Sequence, residues 1–109
     1  MHELALAQDI ISMVCERAGS ARIKRIVVEV GKLAAVLPDA LRFGFEVCRE
    51  NTAAHAAVLD IIETPGEGRC RGCDQVVAMH APLTRCACGG TDIEWLRGED
   101  LKIKEMELI

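Results

Sequence analysis

Cys70-Arg71-Gly72-Cys73, then residues 74–85, then Cys86-Ala87-Cys88-Gly89-Gly90: the fold of this chain is decided by how those residues are read. Two close cysteine pairs joined by a short connector are what a tetrahedral four-thiolate metal site requires. Each pair lets one tight turn present two thiolates, and the connector carries the chain to the far side of the ion. Gly72, Gly89 and Gly90 suit the close backbone approach of such turns. A zinc ion held by four thiolates is net negative, and Arg69, Arg71 and Arg85 lie beside the ligands in sequence, where they offset it. The competing readings are two disulfides, thiols that merely cluster, or a rubredoxin-like iron site for electron transfer, since four thiolates also accept iron. Six cysteines behind an opening that lacks a basic, apolar leader fit a reducing compartment, which favours metal over disulfides. The expected zinc ligands are therefore Cys70, Cys73, Cys86 and Cys88. The second pair is Cys-x-Cys, one residue shorter than the usual Cys-x-x-Cys, so His80 in the connector stands as a reserve ligand. A closed four-thiolate zinc has no open position and does not serve hydrolysis.

Working outward, 75–79 and 92–96 read as short strands flanking the metal turns. A segment this small cannot bury a core, and the ion must supply its stability. Upstream, Pro65-Gly66-Glu67-Gly68 is the clearest punctuation in the chain and is read as a boundary. Downstream, Leu101 and Ile103 alternate with Lys102 and Lys104, and the apolar set then shifts to Met106 and Leu108. That change of face predicts a bulge or a change of packing partner in a strand that returns to the amino-terminal sheet. The cysteine region is thus an insertion: 65–97 binds zinc, and 1–64, completed by 98–109, forms the other domain.

In that other domain, 22–30 (RIKRIVVEV) and 58–63 (VLDIIE) are rich in β-branched residues and read as strands. Pro38 marks a helix N1 position, with Leu41, Phe45 and Cys48 along one side of a helix running to about Asn51. Leu4, Ala7, Ile11, Val14 and Ala18, widened by Ile10 and Cys15, predict a helix that begins almost at the first residue and ends near Gly19. Cys15 and Cys48 read as small buried apolar residues, and His55 as a surface residue.

Met1-His2-Glu3 is the second candidate site. The α-amine of Met1, the His2 amide nitrogen and the His2 imidazole can close successive five- and six-membered chelate rings on one ion. Such an in-plane nitrogen set favours Ni(II) or Cu(II). Glu3 adds an oxygen ligand or positions the imidazole. The plain alternative is an accidental terminus.

Composition removes other classes. A net charge of −4 argues against a nucleic-acid footprint, and no apolar run is long enough to span a membrane. There is no nucleophile–base pair, phosphate-binding glycine loop or carboxylate dyad, so no enzymatic activity is expected. The expected location is cytoplasmic.

Met1-His2-Glu3-Leu4-Ala5-Leu6-Ala7-Gln8, Val27-Val28-Glu29-Val30-Gly31, Pro38-Asp39-Ala40-Leu41-Arg42-Phe43 and the paired cysteines, in that order, resemble the HypA/HybF family of nickel metallochaperones for [NiFe]-hydrogenase maturation. The resemblance covers essentially the whole chain. It implies an α+β molecule: two helices with a small three-stranded mixed sheet as the nickel domain, plus an inserted zinc-ribbon-like four-cysteine loop domain. It implies Ni(II) as transient cargo at Met1 (α-amine), His2 and Glu3, with Asp39 as a further candidate, and structural zinc at Cys70, Cys73, Cys86 and Cys88. The implied partners are the GTPase HypB and the hydrogenase large-subunit precursor, with urease maturation proteins as a further candidate. The chain itself would be a monomer or weak homodimer. The contrasting class is a zinc-ribbon interaction adaptor with no nickel role.

Overall fold

The computed structural model describes residues 2–109; Met1, and with it the α-amine, lies outside the described residues. The order is α1 (His2–Ala18), β1 (Ile23–Gly31), a 3-10 turn (Lys32–Ala34), α2 (Pro38–Cys48), β2 (Val58–Thr64), β3 (Gly66–Cys70), β4 (Val76–Met79), β5 (Ile93–Arg97) and β6 (Leu101–Leu108). Two three-stranded sheets form, in the orders β2-β1-β6 and β4-β3-β5. The chain divides into two compact units. One comprises the chain up to Val28, Val36–Ile62 and Lys102–Ile109, and the other Glu29–Ala35 and Glu63–Leu101.

In the first unit, α1 buries Glu3, Ala7, Ile10, Ile11 and Val14. The stripe has helical spacing but is rotated from the expected one: Leu4 is exposed at its edge and Glu3 takes the inward place. A buried carboxylate needs a donor, and Glu3 has one, described below. The helix ends where Gly19 adopts a left-handed φ of 62°, with its N–H returned to the Cys15 carbonyl, a usual glycine stop. Helix α2 starts at Pro38 as expected but stops at Cys48, three residues short of Asn51. Leu41 and Phe45 are fully packed, whereas Cys48 and Cys15 are half-buried. His55 is exposed, its Nδ1 3.1 Å from the Thr52 carbonyl. The central strand β1 buries Ile26, Val27, Val28 and Val30, both of its faces being partly covered. Arg25 on β1 pairs with Asp60 on β2 and reaches Glu107 on β6. That half-exposed triad adds little energy but joins all three strands.

In the second unit, β3 is the centre. It runs antiparallel to β4, with Gly66 opposite Met79 and Gly68 opposite Val77, and antiparallel to β5, with Cys70 opposite Ile93. The glycine-rich punctuation is therefore the first half of a central strand. The reason is close approach: a Cβ on Gly68 would lie 2.3 Å from Ile93 Cγ2 and 2.6 Å from Met79 Sδ, so neighbouring side chains occupy its place. The register slip sits here, between Glu67 and Gly68 on the β5 side. In β6, which apart from Leu101 belongs to the first unit, the half-buried positions are Leu101, Ile103 and Met106, keeping the change of spacing seen in the sequence. The apolar interior of the second unit is small, built on Val30, Leu33, Cys70, Met79 and Cys86.

Candidate metal centre

Each cysteine pair sits on its own turn, and the two turns share one hydrogen-bond plan. In the first, the Cys70 N–H donates to Gln75 O, and the Asp74 N–H donates back to Cys70 O. In the second, the Cys86 N–H donates to Gly90 O, and the Gly89 N–H donates back to Cys86 O. Each turn places one left-handed residue after its second cysteine: Asp74 at φ 65° and Gly89 at φ 93°. The second turn is the first with one residue removed, which is how Cys-x-Cys does the work of Cys-x-x-Cys.

The result is a closed set of sulfurs. The Sγ atoms of Cys70, Cys73, Cys86 and Cys88 all lie within 4.8 Å of one another. Cys70 and Cys88 stand 3.6 Å apart, as do Cys73 and Cys86. Four thiolates around a tetrahedral zinc at about 2.3 Å are separated by about 3.8 Å, and the two pairs at 3.6 Å lie close to that edge. All six cysteines are free thiols, which sets the disulfide reading aside. Cys70 and Cys86 are buried while Cys73 and Cys88 are exposed. The centre thus has a covered side and a side facing solvent.

The thiols are electrostatically unequal. The backbone N–H groups of Cys73 and Gly72 point at Cys70, and with the S–H groups of Cys88 and Cys73 they outweigh its burial and lower its pKa to about 7. At Cys73 the Gln75 N–H pulls downward, but burial and the sulfurs of Cys86, Cys88 and Cys70 push the thiol up to about 12. The crowd admits one thiolate readily and resists the next, the behaviour of ligands placed for a cation. Arg69 donates to the Asp74 carbonyl, Arg71 to the Asp92 carboxylate and Arg85 to the Gly89 carbonyl. All three brace the turns.

The other candidates are placed as follows. His80 is not in the cluster; its Nδ1 lies 3.3 Å from Lys32 Nζ on the exposed surface. At the other candidate site, His2 is exposed and Glu3 is buried. Glu3 Oε2 accepts the Leu37 N–H at 3.1 Å. Leu37 is the N-cap of α2, with no side-chain cap of its own, and the residue that would complete a local capping box, Ala40, cannot supply one. Glu3 provides that carboxylate from α1 instead. The Leu37 N–H, then its own N–H, then the charge on His2 hold Glu3 below the usual carboxylate value, against the effect of burial. Asp39 is exposed in the first turn of α2, two residues beyond Leu37. Among the described residues, the cysteines are the only group of three or more metal-ligating side chains.

Sequence reasoning missed the Leu37 amide and the place of Gly90. A signal existed for the first: a helix opening Leu-Pro-Asp-Ala has an orphan N-cap amide that something must satisfy. For the second, the doubled glycine after a shortened pair was the trace.

A family model described as "Hydrogenase/urease nickel incorporation, metallochaperone, hypA" matches residues 1–108. A protein named hydrogenase maturation factor HypA from Nostoc punctiforme is 43% identical over 108 residues, covering 99% of this chain and 96% of that one. One of the same name from Rhizobium leguminosarum bv. viciae is 40% identical over 113 residues, covering both chains fully. Among solved structures, the solution structure of the Ni metallochaperone HypA from Helicobacter pylori superposes with a TM-score of 0.66 at 24% identity. It covers 98% of this chain and 97% of that one, and supports the fold.

Proposed function

The chain belongs to the HypA family of metallochaperones, hydrogenase maturation factors rather than enzymes, and from that premise we propose that it carries Ni(II) on its first residues. The Met1 α-amine, the His2 amide nitrogen and the His2 imidazole are the chelating set, and nickel is cargo. Glu3 holds the start of the chain rather than binding metal with its full carboxylate, because one oxygen is committed to the Leu37 amide. That bond is the observation that most supports the reading: it anchors the residue next to His2 while leaving the imidazole exposed to solvent. A terminal chelate so placed can exchange its ligands stepwise with an acceptor. Asp39, exposed near the same helix start, is the side chain available to complete the set.

Cys70, Cys73, Cys86 and Cys88 hold a resident ion, which we take as zinc: four soft thiolates at tetrahedral spacing form a closed structural site. When bound, that ion supplies the folding energy of the second unit and no chemistry on a substrate. We assign the nickel role to 1–64 with the returning strand at 98–109, and the zinc role to 65–97. The GTPase HypB and the hydrogenase large-subunit precursor are the partners this reading requires, in the cytoplasm, with urease maturation proteins as further recipients. Among the described residues, no helix is long and apolar enough to cross a membrane.

The test is His2→Ala in the untagged full chain, with nickel affinity read by calorimetry and zinc content by elemental analysis. Nickel binding should be lost and zinc retained. Unchanged nickel affinity would remove the amino-terminal site, and the chain would then be a family member that binds nickel elsewhere.

A further inference from the structure

The shortened second turn raises a steric question: what allows three residues, Cys86 to Cys88, to do the work of four. We infer that Gly90 is a positioning residue of the metal centre, the point at which the short turn is locked against the long one. The inference rests on the reading that the four cysteines hold a resident ion. Gly90 meets three of the four ligands, each in a different way. Its carbonyl accepts the Cys86 N–H at 2.9 Å. Its N–H points at Cys88 Sγ at 3.4 Å. Its α-carbon faces Cys70, where an added Cβ would stand 3.0 Å from Cys70 Sγ and 3.3 Å from Cys88 Sγ.

Those two sulfurs come from different turns and are 3.6 Å apart, so Gly90 packs against the edge of the tetrahedron that joins the turns. The two sulfurs differ in how freely they can yield, Cys70 being buried and Cys88 exposed. Cys70 is fully buried and takes the backbone N–H groups of Cys73 and Gly72. Cys88 moves only by leaving the Gly90 N–H, a bond that spreads thiolate charge onto the backbone. A methyl group at residue 90 therefore requires Cys70 Sγ or Cys88 Sγ to give by a few tenths of an ångström, which disturbs the edge of about 3.8 Å that zinc sets. The neighbouring glycines differ in kind. A Cβ on Gly72 would lie 3.6 Å from Cys70 Sγ, an ordinary contact. One on Gly89 would meet nothing within 4 Å, although φ there is +93°. The three glycines thus separate contact with the sulfurs from backbone strain and from neither.

The experiment compares the full chain with Gly90→Ala, Gly89→Ala and Gly72→Ala, using zinc competition against a chelator and the absorption spectrum of the Co(II)-substituted protein. Gly90→Ala should weaken zinc by about 10–100-fold, the usual cost of losing a group that orients metal ligands. Its cobalt ligand-field bands should move as the tetrahedron distorts. Gly72→Ala should stay within about twofold, and Gly89→Ala should lower affinity without moving the bands. Zinc affinity and a cobalt spectrum unchanged in Gly90→Ala overturn the inference alone. A wild-type chain with no thiolate–cobalt charge-transfer bands overturns the metal-centre reading and the inference together. If Gly90→Ala takes up no zinc, Cd(II), a larger thiophilic ion, decides. Recovery of the site with cadmium supports the steric account, and failure to recover places Gly90 in the folding of the turn instead.

Discussion

The cysteine centre and the amino-terminal site assemble their ligands by opposite means. The first gathers four sulfurs from two turns, each ligand braced by backbone N–H groups, arginines or packing, until all four lie within 4.8 Å. The second takes its proposed donors from consecutive residues, beside one tertiary hydrogen bond from the Leu37 N–H to Glu3. The first pattern suits an ion that stays, because the fold has already collected the ligands and holds them against loss. The second suits an ion that leaves, because its donors can be withdrawn one at a time without disturbing a core.

The sharpest way to break this contrast is to remove a sulfur. Cys70→Ala should release the metal and melt β3, β4 and β5, since metal binding contributes on the order of 10 kcal/mol to such sites. Circular dichroism should lose sheet and keep the helical signal of α1 and α2. Loss of the helices as well would mean that the two regions are not independently held. Extending the chain by two residues ahead of Met1 is next in size. The new peptide bond converts the amine into an amide, so nickel affinity measured by calorimetry should fall sharply while zinc content stays constant. Equal affinity would mean that His2 acts through its imidazole alone.

The smallest expected effect belongs to Glu3→Gln. Because the Leu37 amide and its own N–H lower the Glu3 pKa from the ordinary 4.5, the folded state favours the ionised carboxylate. That contribution is fully present above the unfolded value and is lost as pH falls through the lower folded value. The native chain should therefore melt at a higher Tm than Glu3→Gln at neutral pH, and the gap should close below about pH 4.5. A gap independent of pH would show that ionisation of Glu3 is not what stabilises the bond, and no gap at neutral pH would show that glutamine is an equal substitute.

How far the sequence could be read follows from whether each signal was local. The cysteine quartet, Pro38 at a helix start and the β-branched run before Gly31 depend on near neighbours, and each was legible. Glu3 was not: hydrophobic spacing gave the inward place to Leu4, and only a partner 34 residues away makes a buried carboxylate tolerable. That Gly66 and Gly68 lie within a strand was not legible for a related reason. Glycine marks a turn and a crowded strand with the same letter, and the side chains of Ile93 and Met79 that crowd β3 lie far along the chain. His80 drew attention as a spare ligand because Cys-x-Cys looked too short, whereas Gly90 compensates for the missing residue from within the turn.

The bond from Glu3 to Leu37 also bears on the order of folding. Helix α2 lacks a cap of its own, so its first turn is completed only when the chain has closed a loop of 34 residues and brought α1 alongside. Loop closure of that length is an entropic toll on an otherwise local event. The two helices are therefore coupled energetically through one long-range bond. Docking of α1 is what gives the N-cap amide of α2 its protein partner, so the first turn of each helix is stabilised by the presence of the other.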